Sequence, residues 1–490
     1  MKKRLPSKKF SFALITLFLA IGMNLYAQDW EPICVFDQNN NNIRVYELYP
    51  DTVSDHLYIG GLFYIINGDT MGNITSFDGA NFQFMTDSMN ACWNHGCDGV
   101  FSIIRYHDAI IAGLMQSSTY EARPQIVGIG HWDGQKWHPL DGGLASNYYE
   151  IIQAYLPAQS YDFAIADDTF YVAGYFKYVD SLPAAAMAAW DGTQWHTYDM
   201  PPIPPGTAIL ANSIAKYKDN IYLGGNFVAT VDGQQANDLM RFDGTSWHKV
   251  GNGLIDGLTN LHDLEVFQGK LYVAGYFAKA DGNPGNSIIS WDGEQWNDLS
   301  GGVCTPFGTI DDLFVYKDKL YVAGYFDCIG GIEAHNVASW DGEKWCSIGN
   351  SMFNRAIHAV AVWRDTVYVG GSFFEVDGQP LRFLARFVGD HTTDTCSAPV
   401  SAAPEVLTSK ARIRLWPNPA TEMLLIESTG SIERVRIFDS TGKEVINAIQ
   451  PISGTKEESI TLDTRLLTYG LYYVTLQSSG NTHSGKFVKI

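Results

Sequence analysis

The chain has 490 residues, of which 33 are basic and 53 acidic, a formal charge of −20. Nucleic-acid binding needs a basic face to grip phosphate, so this balance excludes it and favours cations, neutral glycans or basic partners. The acidity is local: residues 28–404 hold 44 acidic and 18 basic side chains, whereas residues 405–490 hold 9 and 10.

Residues 1–27 run from Lys2, Lys3, Arg4, Lys8 and Lys9 through the apolar stretch FALITLFLAIGM to Leu25-Tyr26-Ala27. That order predicts a secretory signal peptide cleaved after Ala27. The run is too short to span a membrane comfortably, and no later stretch is long enough, so the mature chain is expected to lack a transmembrane segment. Cys34 does not directly follow the apolar run, which argues against a lipid anchor.

Most of the remaining chain repeats the pattern of residues 310–349, IDDLFVYKDKLYVAGYFDCIGGIEAHNVASWDGEKWCSIG. Two apolar runs flank a Lys-Asp-Lys turn, a polar loop follows, and an Asp-Gly turn joins NVASW to KWCSI. This predicts four short antiparallel strands per repeat. The small residue ending the second strand recurs as Gly61, Gly113, Gly174, Gly225, Gly275, Gly324 and Gly371, at spacings of 52, 61, 51, 50, 49 and 47 residues. A period near 50 with four strands per unit predicts a seven-bladed β-propeller over residues 28–388.

Within the second strand, Leu320, Val322 and Phe326 alternate with Tyr321, Ala323 and Tyr325, so both faces are apolar, as in a sheet covered on each side. The Ala-Gly or Gly-Gly pair there predicts close approach between blades near the axis. The seventh repeat stops at Phe387 without its tryptophan strand, whereas Asp29-Trp30-Glu31-Pro32-Ile33 parallels Lys136-Trp137-His138-Pro139-Leu140. The N-terminal strand is therefore expected to close the last blade and remove two open edges. LYVGG-x-F followed by WDG-x-x-W resembles the kelch-like propellers of the galactose-oxidase central-domain type. That resemblance implies a fold rather than an activity.

Candidate chemistry is sparse. The recurrent Ser-Trp-Asp-Gly-x-x-Trp resembles the sialidase Asp-box, but Asp and Gly are adjacent and the motif recurs in nearly every repeat, so it reads as a turn and packing element. Neither an arginine set for gripping a carboxylate nor a set of copper ligands is evident. Counting nine residues back from the LYVAG tyrosine gives Asp162, Ser213, Asp263 and Asp312, with neighbours Tyr161, Asn212, His262 and Asp311, and His358 near the equivalent point of the last repeat. Such a ring at the channel mouth suits a calcium-like cation, or an acid and base split by mutual repulsion, or aspartates that accept hydrogen bonds from their own loop amides. The long loop 141–162 carries Tyr148, Tyr149 and Tyr155, platforms for a sugar ring or a peptide side chain, or residues that pack onto the blade. The short sequences Asp51-Thr52-Val53 and Asp180-Ser181-Leu182 resemble bacterial O-glycosylation sequons.

Seven cysteines in an exported chain favour disulfides. The expected pairs are Cys92 with Cys97, Cys304 with Cys328, and Cys34 with Cys396, which leaves Cys346 odd; Cys92-x-x-His95-x-Cys97 is an alternative zinc motif with three visible ligands.

Residues 389–404 read as a linker, GDHTTDTCSAPVSAAP, and residues 405–490 return to alternating strands that predict a small Ig-like β-sandwich. Pro417-Asn418-Pro419-Ala420, the IFDSTGKEV hairpin, Gly470-Leu471-Tyr472-Tyr473-Val474 and the terminal Lys486-Phe487-Val488-Lys489-Ile490 resemble the type A C-terminal sorting domain of type IX secretion substrates. The resemblance implies passage through the periplasm and outer membrane of a Gram-negative bacterium, contact with the type IX machinery there, and a secreted or cell-surface destination. Three roles for the propeller then stand: a non-enzymatic module gripping an extracellular glycan or protein, a carbohydrate-active enzyme using the channel-mouth carboxylates, and a purely structural surface component.

Overall fold

The computed structural model describes residues 29–36, 42–85, 97–116, 128–149, 154–205, 207–251, 254, 260–278, 285–305 and 308–389, and near the C-terminus 414–416, 423–427, 432–439, 444–448, 459–465, 467–468, 470–478 and 481–489. The expected signal peptide, most of the linker, Cys92, Cys396, Pro417, Asn418 and Pro419 lie outside the described residues. Contacts divide the chain into two compact units, Met1–Pro399 and Val400–Ile490.

The first unit is all-β and antiparallel. Among the described residues, apart from one further four-stranded sheet and three two-stranded ones, seven successive sheets begin with inner strands Arg44–Asp51, Cys97–Tyr106, Gln159–Ala166, Leu210–Tyr217, Asn260–Phe267, Thr309–Tyr316 and Ile357–Trp363. Each inner strand pairs with the strand that follows it, and two further strands complete each sheet. In the sixth, Lys319–Tyr325, Val337–Trp340 and Trp345–Ser347 are added in order. The second and third sheets are joined into one of eight strands through the pairing of Gln159 with Met115. The seventh sheet takes its outermost strand from the other end of the unit: Trp30–Pro32 pairs with Leu384–Phe387, and Trp30 sits opposite Phe387. Trp30 is fully buried and packs edge-on against Phe353 and Phe387.

Apolar side chains fill the space between neighbouring sheets. Tyr217, Tyr222 and Leu239 of the fourth meet Leu261, Leu271 and Val273 of the fifth, and the cluster around Leu57 and Ile59 of the first sheet includes Ala361, Tyr368 and Leu384 of the seventh. The Asp-Gly turns act as local clamps. Asp341 Oδ1 accepts from the amides of Glu343 and Lys344, both at 2.8 Å, and the same pattern recurs at Asp191 and Asp292. In the third, fourth and sixth sheets the tryptophan after the turn ties the sheet to its predecessor: Trp195 Nε1 donates to Asp141 O, Trp247 to Asp199 O and Trp345 to Leu299 O.

At the turn end of the inner strands, polar contacts pass from sheet to sheet. Arg105 donates bidentately to Asp51 at 2.8 and 2.6 Å, His107 meets Asp168, Lys216 meets Asp167, and Tyr217 donates to Gly269 O. Gln268 then donates to Asp341 O, Lys317 meets Asp365, and Arg364 of the seventh sheet returns to Asp55 of the first. Burial works against ionisation of Asp51, but the bonds from Arg105 and Ser54 outweigh it and hold its carboxyl down to about 2.

Cys304 and Cys328 form a disulfide. The expected bridge from Cys34 is not made. Cys34 is a free thiol buried with Phe36, Ile43 and Phe383 between the first and seventh sheets, where burial pushes its pKa up, and Cys346, expected to be odd, is disulfide-bonded.

The second unit has one sheet of Arg414–Trp416, Met423–Glu427 and Ser459–Asp463 and another of Glu444–Ala448, Ile432–Asp439, Gly470–Ser478 and Asn481–Lys489. Leu424, Ile426, Val435, Ile437, Tyr472 and Val474 are buried.

Candidate functional site

Every inner strand of the first unit carries a β-bulge near its start. The register slips between Val45 and Glu47, Val100 and Ser102, Ser160 and Asp162, Ala211 and Ser213, Leu261 and Asp263, Ile310 and Asp312, and Ile357 and Ala359. A bulge sets two consecutive side chains out of the usual alternation. One layer is therefore Tyr46, Phe101, Tyr161, Asn212, His262, Asp311 and His358, and the next is Glu47, Ser102, Asp162, Ser213, Asp263, Asp312 and Ala359.

In six of the seven sheets the marker glycine belongs to this bulge, whereas Gly113 lies opposite Ser102, one position away. A Cβ on Gly225 would fall on the Leu210 carbonyl oxygen, and one on Gly324 on the Thr309 carbonyl oxygen, in each case backbone of the same sheet. The approach between sheets belongs instead to the preceding glycine, since a Cβ on Gly224 would run into Leu261 and one on Gly60 into Val100.

The second layer lines a cavity of about 370 Å³ into which Glu47, Asp162, Asp263, Glu265 and Asp312 all open. These carboxylates clamp successive inner strands together. Asp162 Oδ2 accepts from Ile214 N at 2.8 Å, Asp263 Oδ2 from Leu313 N at 2.7 Å and Asp312 Oδ2 from Val360 N at 2.6 Å. Ser213 Oγ does the same for Leu264 N at 3.0 Å, so one unbroken series links the third sheet to the seventh. The expectation that each aspartate serves its own loop is corrected here: the acceptors hold the next strand, and Asp162 and Asp263 also take the amide of the following residue.

Proton positions in this layer are constrained. Ser213 Oγ lies 2.7 Å from Asp162 Oδ2 and 3.1 Å from Asp263 Oδ1 and has a single proton to give, so a further proton on one of the two carboxyls is favoured. Burial is the leading reason. It raises Asp162 to about 7, with the Asp263 charge adding to it, and Glu265 to about 8 for the same two reasons. Burial also raises Glu47, Asp263 and Asp312, and the neighbouring carboxylate charges reinforce it at Glu47 and Asp312. Among the described residues no group of three or more His, Cys, Asp or Glu side chains is disposed to hold a metal ion.

The first layer forms a collar whose contacts visit all seven sheets. Phe101 lies 5.9 Å from Tyr161 and stacks on Tyr46 at 4.4 Å; Tyr46 lies 5.7 Å from His358. His358 Nδ1 is 2.8 Å from Asp311 Oδ2, and His262 Nδ1 is 3.2 Å from Asp311 Oδ1. The Leu261 carbonyl sets the polarity of the rest. It and Asn260 Oδ1 accept from Asn212 Nδ2 at 2.8 and 2.9 Å, so Asn260 Nδ2 faces His262 Nε2 at 3.0 Å as donor, and the His262 proton sits on Nδ1. Burial opposes ionisation of Asp311, but the bonds from both imidazoles outweigh it and hold its carboxyl well below the usual range. Burial disfavours the His262 imidazolium, and Asp311 outweighs that too, raising its pKa.

Of the residues singled out in the sequence, Asp162, Asp263 and Asp312 share the clamp layer, and His262, Asp311 and His358 share the collar. Tyr148 pairs with Tyr155 along the backbone of a separate hairpin, and their side chains, like that of Tyr149, lie outside the described ones. Sequence reading missed Glu47, Glu265, Tyr46 and Phe101.

In the second unit, Gly470, Leu471, Tyr472 and Tyr473 pair with Lys489, Val488, Phe487 and Lys486, so the two predicted sorting motifs are neighbouring strands. Tyr472 is buried, with its hydroxyl donating to Thr468 O at 2.9 Å, and Lys489 is buried as well.

Residues 414–490 match the secretion system C-terminal sorting domain family. Such a domain engages the type IX machinery and directs export to the surface or secretion by Bacteroidetes-type Gram-negative bacteria. No helix among the described residues is long and apolar enough to cross a membrane. No curated protein matches the chain. Among solved structures, one similar chain is PorZ, an essential bacterial surface component of the type IX secretion system of human oral-microbiomic Porphyromonas gingivalis, at 11% identity and a TM-score of 0.37 over 91% of this chain and 66% of that one. Another is the computationally designed Ika8 protein, at 11% identity and a TM-score of 0.34 over 71% of this chain and 96% of that one.

Proposed function

We propose that residues 28–388 form a seven-bladed, kelch-like β-propeller that is displayed on or released from the cell surface and binds a glycan or protein without transforming it, and that residues 405–490 deliver it through type IX secretion. The return of contacts from the seventh sheet to the first, at Arg364–Asp55 and in the cluster around Leu57, supports the ring. The observation that carries binding over catalysis is the use of Asp162, Asp263 and Asp312 as inter-strand clamps, since a carboxylate committed to a backbone amide on the next sheet is poorly placed to move a substrate's proton. The collar at the opposite end from the turns is then the surface for a ligand.

A second reading, a carbohydrate-active enzyme, draws on Glu265, whose raised pKa of about 8 suits an acid in the same cavity as ionisable neighbours. One experiment separates the two. The full chain is assayed against immobilised polysaccharides and peptides, with calcium and with chelator, scoring retention and released products together. Retention without products supports the binding module. Products lost in Glu265→Gln favour the enzyme, and neither retention nor products leaves a structural surface role.

A further inference from the structure

The collar divides by chemistry. Tyr161, Phe101 and Tyr46 make an aromatic arc, and His358, Asp311, His262 and Asn212 make a polar one. The polar arc has its donors occupied and its acceptors open. Asn212 commits Nδ2 to Asn260 and Leu261, which leaves Oδ1; His358 turns Nδ1 to Asp311, which leaves Nε2; Asp311 carries a full negative charge held in place by two imidazoles. Directly beneath lie the carboxylates of the clamp layer, on a unit with 44 acidic and 18 basic residues between 28 and 404.

Resting on the binding-module reading, we propose that the collar receives a guanidinium or ammonium group presented by a protein partner. A cation is attracted to the faces of the aromatic arc and donates to the acceptors opposite. The excess of acidic over basic side chains in residues 28–404 has the matching sign, so approach is favoured before contact is made. An anionic ligand meets the wrong sign. A neutral sugar offers acceptors as well as donors, and the open positions of the polar arc answer only its donors.

The test titrates the full chain with acetyl-Gly-Arg-Gly-amide, with its citrulline counterpart, which keeps the shape and loses the charge, and with cellohexaose. The arginine peptide should bind with an affinity that falls as salt rises, and the citrulline peptide at least tenfold more weakly. Phe101→Leu, which keeps an apolar filler but no π face, and Asp311→Asn should each weaken the arginine peptide roughly five- to tenfold. Lys317→Ala, at the turn end, should leave it unchanged. Circular dichroism matching the parent shows that each variant is folded. Equal binding of the citrulline peptide, or an arginine peptide indifferent to Phe101→Leu in a folded protein, overturns the proposal. Cellohexaose bound in its place and released by Phe101→Leu also overturns it, while leaving the binding-module reading standing.

Discussion

Replacing Asp263 by alanine tests the clamp layer most directly. The carboxylate accepts from Leu313 N and Leu264 N, both at 2.7 Å, and lies 3.1 Å from Ser213 Oγ. Leu264 N keeps Ser213 Oγ as a second acceptor, and Ser213 keeps Asp162, so the group left orphaned is the Leu313 amide at the start of the sixth sheet. An unsatisfied buried amide costs about 1–3 kcal/mol. Against this, the substitution removes a charge that raises the pKa of Asp162, Glu47, Glu265 and Asp312. The net expectation at pH 7 is a loss of about 2 kcal/mol. Asp263→Asn keeps an acceptor for Leu313 and loses the charge, so it should be at least as stable as the parent above pH 8. Urea unfolding followed by tryptophan emission reads this unit, because of the 13 tryptophans only Trp416 lies in the second. Alanine within about 0.5 kcal/mol of the parent would refute the clamp; asparagine as damaging as alanine would show that the charge matters rather than the acceptor.

Stability of the first unit should peak near pH 5, about a unit above an unfolded carboxyl. Asp162, at about 7, and Glu265, at about 8, hold protons that the unfolded chain has released, so stability falls as pH rises from about 4 through those values. The turn aspartates Asp133, Asp191, Asp243 and Asp292 are lowered, chiefly by amide and side-chain hydrogen bonds, so their contribution is present above about pH 4 and lost below it. A melting midpoint that climbs steadily from pH 5 to 9 would contradict this. Trp30→Ala should cost about 3–5 kcal/mol, since it empties a fully buried site in the strand that completes the seventh sheet. Arg364→Ala, which breaks an exposed pair with Asp55, should barely move the midpoint, and equal effects of the two would show that the N-terminal strand does not seal that sheet. Cys34 should resist thiol reagents in the native protein and react on unfolding; labelling of the folded chain at Cys34 would place it outside the core.

The seven sheets were legible because their signals are local and repeated: a turn residue, two apolar runs, an Asp-Gly turn and a tryptophan. The N-terminal completion was legible too, since Trp30 stands in the same short context as Trp137. The clamp residues followed by counting back from the second-strand tyrosine, and that count failed in the first sheet for a simple reason. Residues 52–55 make a four-residue connection there, whereas Asp167 and Asp168 alone join the equivalent strands of the third, so the count from Tyr58 stops two residues short of Glu47, at Tyr49. Cys34 was misassigned because spacing carries no information on depth. Its fate is set by Phe36, Ile43 and Phe383, which come from opposite ends of the unit.

The collar was the least legible part, and the bulge explains why. Strict alternation would send Tyr46 and Glu47, or Asp311 and Asp312, to opposite faces of their strands, so a sequence reading assigns one of each pair to the channel and the other to the packing between sheets. The one-residue slip takes both out of that alternation. The glycine at the end of each second strand was visible throughout, but its meaning was not: it is required where the bulge presses a carbonyl against the partner strand, as Leu210 does at Gly225. In six of the seven sheets the marker glycine therefore reports a bulge. Where a repeat of this kind carries a glycine of that sort, the two residues that follow the one opposite it should be read together rather than as alternating. By that rule Tyr46, Tyr161, Asn212, His262, Asp311 and His358 become a single set, which Phe101 joins through a bulge opposite Leu114 instead of a glycine, and the set has the aromatic and acceptor halves that a basic side chain fits.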